Sequence, residues 1–189
     1  LYASLALIGR IVYVIAWMFV MLLLPKVVQL ESEIAGYVGT TRAIGCASGS
    51  DALLLALMAL DVRAGDEVIC PSYTFFATGG AIHRIGAIPV WADIDPRTWV
   101  VTDQTIEKCL SDRTKAVVVV HLYGLAAAMP PIIELSRQKN FIVVEDCAQA
   151  IGAEFCGKKV GKSKKRDSEN DSLVRFRGFR SFLGEHRGL

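Results

Sequence analysis

AVVVVHLYG at residues 116–124 and FIVVEDCAQA at residues 141–150 decide the fold. The first is continuously apolar from Ala116 to Val120, the pattern of a strand covered on both faces. The second is a similar apolar run that ends in an acidic pair and a polar turn. Working outward, apolar runs of strand length recur at RAIGCA (42–47), EVICP (67–71) and IPVWAD (88–93). Segments of helical period lie between or beside them: VVQLESEIAGYV (27–38), DALLLALMAL (51–60) and PIIELSRQ (131–138). This alternation predicts an α/β domain with a mostly parallel sheet and helices on both faces. The segment 51–60, apolar nearly all round, is expected in the interior.

Right-handed crossovers bring the C-terminal ends of parallel strands to one rim, where open α/β folds bind ligands. Four polar clusters follow strands and so converge there: Ser48-Gly49-Ser50, Ser72-Tyr73-Thr74-Phe75, His121-Leu122-Tyr123-Gly124, and Asp146 to Gln149. Gly49 allows close backbone approach, and the helix opening at Ser50 and Asp51 offers free N–H groups to a phosphate. The same residues serve equally as a plain N-cap. Phe75 could stack on a flat ring or enter the core. Asp146, at the end of a buried strand, needs a cationic or donor partner; a pyridinium nitrogen or a structural salt bridge would each provide one. Gln149 could reach a ring hydroxyl. A cationic ring bearing a phosphate describes pyridoxal 5'-phosphate.

Composition narrows the classes. The chain of 189 residues suits one sizeable core, and its formal charge of +2 implies no nucleic-acid partner. The basic excess gathers beyond Lys162. Cys46, Cys70, Cys109, Cys147 and Cys156 stand singly, without zinc-ligand spacing, which fits reduced thiols in a cytoplasmic protein and no metal.

Six ordered blocks extend the reading: PKVVQLESEIAGYVG (25–39), ASGSDALLLALMAL (47–60), GDEVICPSYTFFATGGAI (65–82), GAIPVWADIDPRTW (86–99), DRTKAVVVVHLYG (112–124) and VVEDCAQAIGAEFCGKKVG (143–161). Over residues 25–161 the chain resembles the DegT/StrS-type sugar-nucleotide aminotransferases. The resemblance implies the large domain of a fold-type I pyridoxal phosphate-dependent transferase, here truncated. It also implies transamination of a nucleotide-linked keto-sugar by an amino-acid donor, in a homodimer that shares residues between sites. On the matching positions, Gly49, Ser50 and Asp51 belong to the phosphate turn, Asp51 through its backbone N–H. Phe75 lies over the ring, Asp146 meets the ring nitrogen, and Gln149 approaches the ring hydroxyl.

The flanks depart from that pattern. Family members continue past the equivalent of Gly161 with a Gly-Asp turn and S-F-x-x-x-K, whose lysine forms the Schiff base. This chain reads KSKKRDSENDSLVRFRGFRSFLGEHRGL over 162–189, a basic tail expected to be irregular, with no lysine at the matching spacing after Ser181-Phe182. No catalytic residue is therefore assigned, and an incomplete, inactive fragment is expected. His186 invites comparison with relatives that dehydrate the sugar, but its spacing does not match theirs. Residues 1–24 are almost wholly apolar and admit two readings, a membrane span or sequence translated out of frame, with a boundary expected at Pro25. The span would make the chain a membrane-anchored, non-catalytic α/β protein retained for binding or dimerisation.

Overall fold

A computed structural model describes residues 2–161 and 173–176, with side chains described over residues 11–161. The chain divides into two compact units, Leu1–Gly45 and Cys46–Leu189. The first is dominated by one helix, α1 (Tyr2–Val38). It runs through Pro25 without a break. The helix-forming residues on both sides carry it past a missing backbone donor. From Ile11 to Leu24 every described side chain is exposed, whereas Ala35 and Val38 are buried. Glu31 Oε1 accepts the Gly45 N–H at 2.6 Å and ties the outgoing chain back to the helix.

The second unit is built from α2 (Gly49–Ala59), β1 (Glu67–Pro71), α3 (Ala77–Arg84), β2 (Ile88–Ala92), α4 (Asp103–Glu107), β3 (Thr114–Val120), α5 (Met129–Lys139) and β4 (Ile142–Asp146). A hairpin of β5 (Glu154–Phe155) and β6 (Lys158–Lys159) follows, and then β7 (Leu173–Phe176). Strand order in the main sheet is β2-β1-β3-β4-β7, and every pair is parallel. Val117, Val118 and Val119 are fully buried, as continuous β-branched runs in a two-sided sheet should be. Ile69, Ile82, Ile106 and Ile132 complete the middle of the core. At the N-terminal end of the strands, the buried Glu67 carboxylate pairs with Arg113 and accepts from Ser111, tying β1 to the start of β3.

Three sequence expectations change. RAIGCA forms no strand, and Ile44 is 87% exposed. A β ladder needs a neighbouring strand, and among the described residues none pairs with this segment. Helix α2 is not wholly interior: Ala52, Leu53 and Leu57 are buried while Leu55 and Met58 remain exposed, because only one side of a helix can meet the sheet. The tail is not irregular throughout, since Leu173–Phe176 add a strand beside β4, with Asp146 opposite Phe176. That short run is rich in β-favouring residues, and β4 offers it an open ladder.

Candidate active site

A cavity of about 440 Å³ opens where β1, β3 and β4 end. Its walls include Gly49, Ser50, Phe75, Tyr123, Asp146 and Gln149. The sheet thus brings five of the six expected site residues together. Asp51 does not line the cavity. Its N–H donates to Ser48 Oγ at 3.1 Å, and its carboxylate accepts from the same hydroxyl at 2.7 Å. Ser48 is therefore the N-cap of α2, and the N–H groups of Gly49 and Ser50 have no partner among the described residues. Those donors, with the positive end of the helix dipole, suit a phosphate. Phe75 is 67% exposed at the cavity wall and does not enter the core.

Asp146 and Glu145 are adjacent in β4 and point to opposite faces, as successive strand residues must. Asp146 lines the cavity. One of its oxygens, Oδ1, accepts the Ala148 N–H at 3.0 Å, and Oδ2 has no hydrogen-bond partner among the described residues. Burial pushes the Asp146 carboxyl above the ordinary carboxylate range, against the opposing pull of the Ala148 N–H and of His121. A cation in the cavity would reverse that balance.

Glu145 is held differently. Its Oε2 accepts the Gly161 N–H at 2.8 Å and lies 3.4 Å from His121 Nε2. His121 Nδ1 accepts the Ala127 N–H at 3.0 Å, so the neutral ring carries its proton on Nε2 and directs it at Glu145. With Cys147 Sγ, these two residues place three ligand-type atoms within 4.8 Å of one another. A metal on Nε2 would require the proton to move to Nδ1, where the Ala127 N–H already points, so the trio suits a hydrogen-bonded latch better than a metal. Sequence reading marked His121 only as part of a cluster and missed Glu145. The signal was present, because an acid inside an apolar strand needs a buried partner.

The turn Leu122–Gly124 lies against the segment that follows β4. The His121 N–H donates to Asp146 O at 3.0 Å, and the Tyr123 N–H donates to Gln149 Oε1 at 2.9 Å. Tyr123 adopts left-handed backbone, φ 53° and ψ 24°, a conformation that costs an L-residue roughly 1–2 kcal/mol. Its hydroxyl lies 3.1 Å from that of Tyr73, whose ring meets Trp99 edge-on at 5.2 Å. The shared hydrogen bond pushes the Tyr123 phenol above its usual value.

A parallel α/β sheet that gathers a buried acid and a helix N-terminus at its C-terminal rim can hold a ligand that combines a cationic ring with a phosphate. The model of the DegT/DnrJ/EryC1/StrS aminotransferase family matches residues 16–168, and the chain belongs to that family. It is similar to the UDP-N-acetyl-3-dehydro-alpha-D-glucosamine 3-aminotransferase of Acidithiobacillus ferrooxidans, with 52% identity over 132 residues, 70% of this chain and 36% of the relative. Among solved structures, S. venezuelae DesV superposes with a TM-score of 0.73 at 38% identity, covering 80% of this chain and 38% of DesV. NtdA of Bacillus subtilis, solved with its bound cofactor PMP, gives a TM-score of 0.68 at 32% identity, over 75% of this chain and 34% of NtdA. The chain spans about a third of the length of these relatives. Its fold is the α/β fold of these aminotransferases, of which the described sheet forms a part.

Proposed function

We propose that residues 46–161 form the cofactor cradle of a pyridoxal phosphate-dependent aminotransferase that acts on a nucleotide-linked keto-sugar with an amino-acid nitrogen donor. The observation that carries this reading is Asp146, a buried carboxylate with one oxygen satisfied by Ala148 and the other unpartnered at the cavity. Similarity to a nucleotide-sugar aminotransferase and to a PMP-bound structure supports the substrate class and the cofactor.

The residues present fit the group. Gly49 and Ser50 would hold its phosphate, Phe75 would cover one face of its ring, Asp146 would meet the ring N–H, and Gln149 would approach the ring hydroxyl. Asp51 acts indirectly, by fixing Ser48 as the cap and keeping the first-turn donors aligned. When bound, the cofactor supplies an electron sink for negative charge that develops on the substrate carbon. An ionised Asp146 would favour the protonated ring nitrogen beside it. Exclusion of water from the ring falls to Phe75 and to the apolar walls at Leu53, Val120 and Leu122.

The basic tail, residues 162–189, expected to lack the covalent lysine, lies outside the described residues apart from the strand at 173–176. We infer that this chain binds the cofactor without a specific covalent link and does not turn over substrate by itself. The complete protein would act as a homodimer in the cytoplasm. Calorimetric titration with pyridoxamine 5'-phosphate, and borohydride trapping with pyridoxal 5'-phosphate followed by peptide mapping, test both parts. Saturable binding that weakens by about tenfold to a hundredfold in Asp146→Asn is expected, and stoichiometric labelling of one lysine would overturn the non-covalent reading.

A second reading, a membrane-anchored non-catalytic protein, is favoured by α1, which is long and apolar enough to cross a bilayer by length and composition. The stretch between Arg10 and Lys26 holds 15 residues, which at about 1.5 Å each span roughly 22 Å. A hydrocarbon core is about 30 Å thick, so both cations would have to extend their stems to the interfaces. Resistance of the expressed chain to carbonate extraction from membranes would support the anchor, and release into the supernatant would remove it.

A further inference from the structure

We propose that Tyr123 is a positioning residue that acts through its backbone, turning the Gln149 side-chain amide so that its NH2 end is the one offered to the cavity. This rests on the cofactor reading above for its ligand, but its geometric half stands on contacts within the chain.

The Tyr123 N–H can only donate, so at 2.9 Å it must face the oxygen of Gln149 and not its nitrogen. An amide so held has its two N–H donors left over, and Gln149 lines the cavity. The cavity therefore presents a donor at Gln149 and an acceptor at Asp146, two side chains three positions apart. A ring with a cationic nitrogen and an ionised hydroxyl needs that pairing of partners. An amide turned the other way would set its oxygen against the ionised hydroxyl.

The N–H of Tyr123 reaches Gln149 from a turn whose backbone is left-handed at that residue. Two backbone hydrogen bonds hold it there. The His121 N–H anchors the start of the turn to Asp146 O, and the buried Leu122 accepts the Leu125 N–H at 2.9 Å. Gly124, at φ 84°, then continues the turn where a β-carbon would stand 3.6 Å from Gln149 O. The ring adds a brace at its far end, through the hydroxyl contact with Tyr73 and the edge-on packing of Tyr73 on Trp99. The two tyrosines come from the loops after β1 and β3, so the orientation of Gln149, after β4, is set by three strand ends together.

Two measurements on the full chain separate this inference from the reading beneath it. Without ligand, amide hydrogen exchange at Tyr123 should be protected, and protection should fall roughly tenfold in Gln149→Leu while persisting in Gln149→Glu, which keeps an acceptor. Unchanged exchange in Gln149→Leu overturns the clamp whatever the cofactor proves to be. With ligand, pyridoxamine 5'-phosphate is compared with its 3-deoxy analogue, which lacks the ring hydroxyl. The native chain should prefer the hydroxylated form about tenfold or more, as a charge-assisted hydrogen bond implies. Gln149→Glu and Tyr123→Val, whose β-branched side chain disfavours left-handed backbone, should erase the preference. Tyr123→Asn, which tolerates that conformation, should lose less than Tyr123→Val. Equal loss in the two Tyr123 variants, or a preference that survives Gln149→Glu, overturns the proposal. If exchange protection behaves as expected but neither ligand binds, the clamp stands and the cofactor reading fails.

Discussion

Glu145 and Asp146 are neighbouring carboxylates on one strand, both nearly inaccessible to solvent, and their surroundings give them opposite tasks. Glu145 faces His121 and the Gly161 N–H and is satisfied inside the protein. Asp146 faces the cavity with an oxygen left over. The first holds the departing hairpin to the sheet, and the second is an acceptor awaiting a donor. Burial of an acid is thus no sign of function by itself. What distinguishes the pair is whether the protein completes the hydrogen bonding around it.

The largest effect that would sharpen this contrast is on stability. Glu145→Ala strands the His121 Nε2–H and the Gly161 N–H in the interior, and should cost roughly 3–5 kcal/mol of unfolding free energy. Urea titration measures it, and an effect under about 1 kcal/mol would show that the latch is loose. Asp146→Asn should leave the fold intact and weaken pyridoxamine 5'-phosphate by about tenfold to a hundredfold. Equal binding by the two proteins would dissolve the distinction between the carboxylates.

The pH dependence follows from the raised Asp146 carboxyl. An acid whose folded value lies above its unfolded one penalises the folded state while both are ionised, so the penalty is present above the folded value. It fades as pH falls through that value and is gone below the ordinary carboxylate range. The unliganded chain should therefore carry a destabilising contribution at neutral pH that Asp146→Asn removes, visible as a higher melting temperature in the variant. A lower melting temperature would mean that Asp146 is structurally partnered. Saturating ligand should reverse the order, because binding then favours the native carboxylate.

A smaller effect concerns the cap. Ser48→Ala should cost about 1 kcal/mol and weaken phosphate-bearing ligands more than it destabilises the domain, since it frees the Asp51 N–H and loosens the first turn of α2. Thiol labelling provides the mildest readout. Burial holds the Cys70 thiol at about 12, so it should stay unreactive in the folded chain, while the exposed Cys46 and Cys156 react. The buried Cys147 follows the two acids directly. Its labelling should accelerate in Glu145→Ala and not in Asp146→Asn, and acceleration in both would show that the two carboxylates share one structural role.

Much of the site was legible in the sequence because it depends on strand ends. With residues 67–71 and 141–146 as parallel strands, Phe75, Asp146 and Gln149 gather on one rim, and the cavity contains all three; Gly49 and Ser50 also line it, although the strand expected before them at RAIGCA does not form. The buried valines of β3 likewise follow from an unbroken β-branched run. RAIGCA has the composition of a strand as good as EVICP, yet only EVICP forms one, since composition cannot supply a neighbouring strand. Helix α2 reads as apolar on every side, but the sheet covers one side only.

Local chemistry thus determined which elements form and which ends carry polar groups. Tertiary structure decided what those groups do. The identity of Glu145 as a latch depends on a glycine sixteen residues later and a histidine that follows a neighbouring strand. The direction of the Gln149 amide depends on where the folded turn aims the Tyr123 N–H. Neither is encoded by periodicity, because a hydrogen bond is fixed by the direction of a donor, and that direction exists only once the backbone has folded.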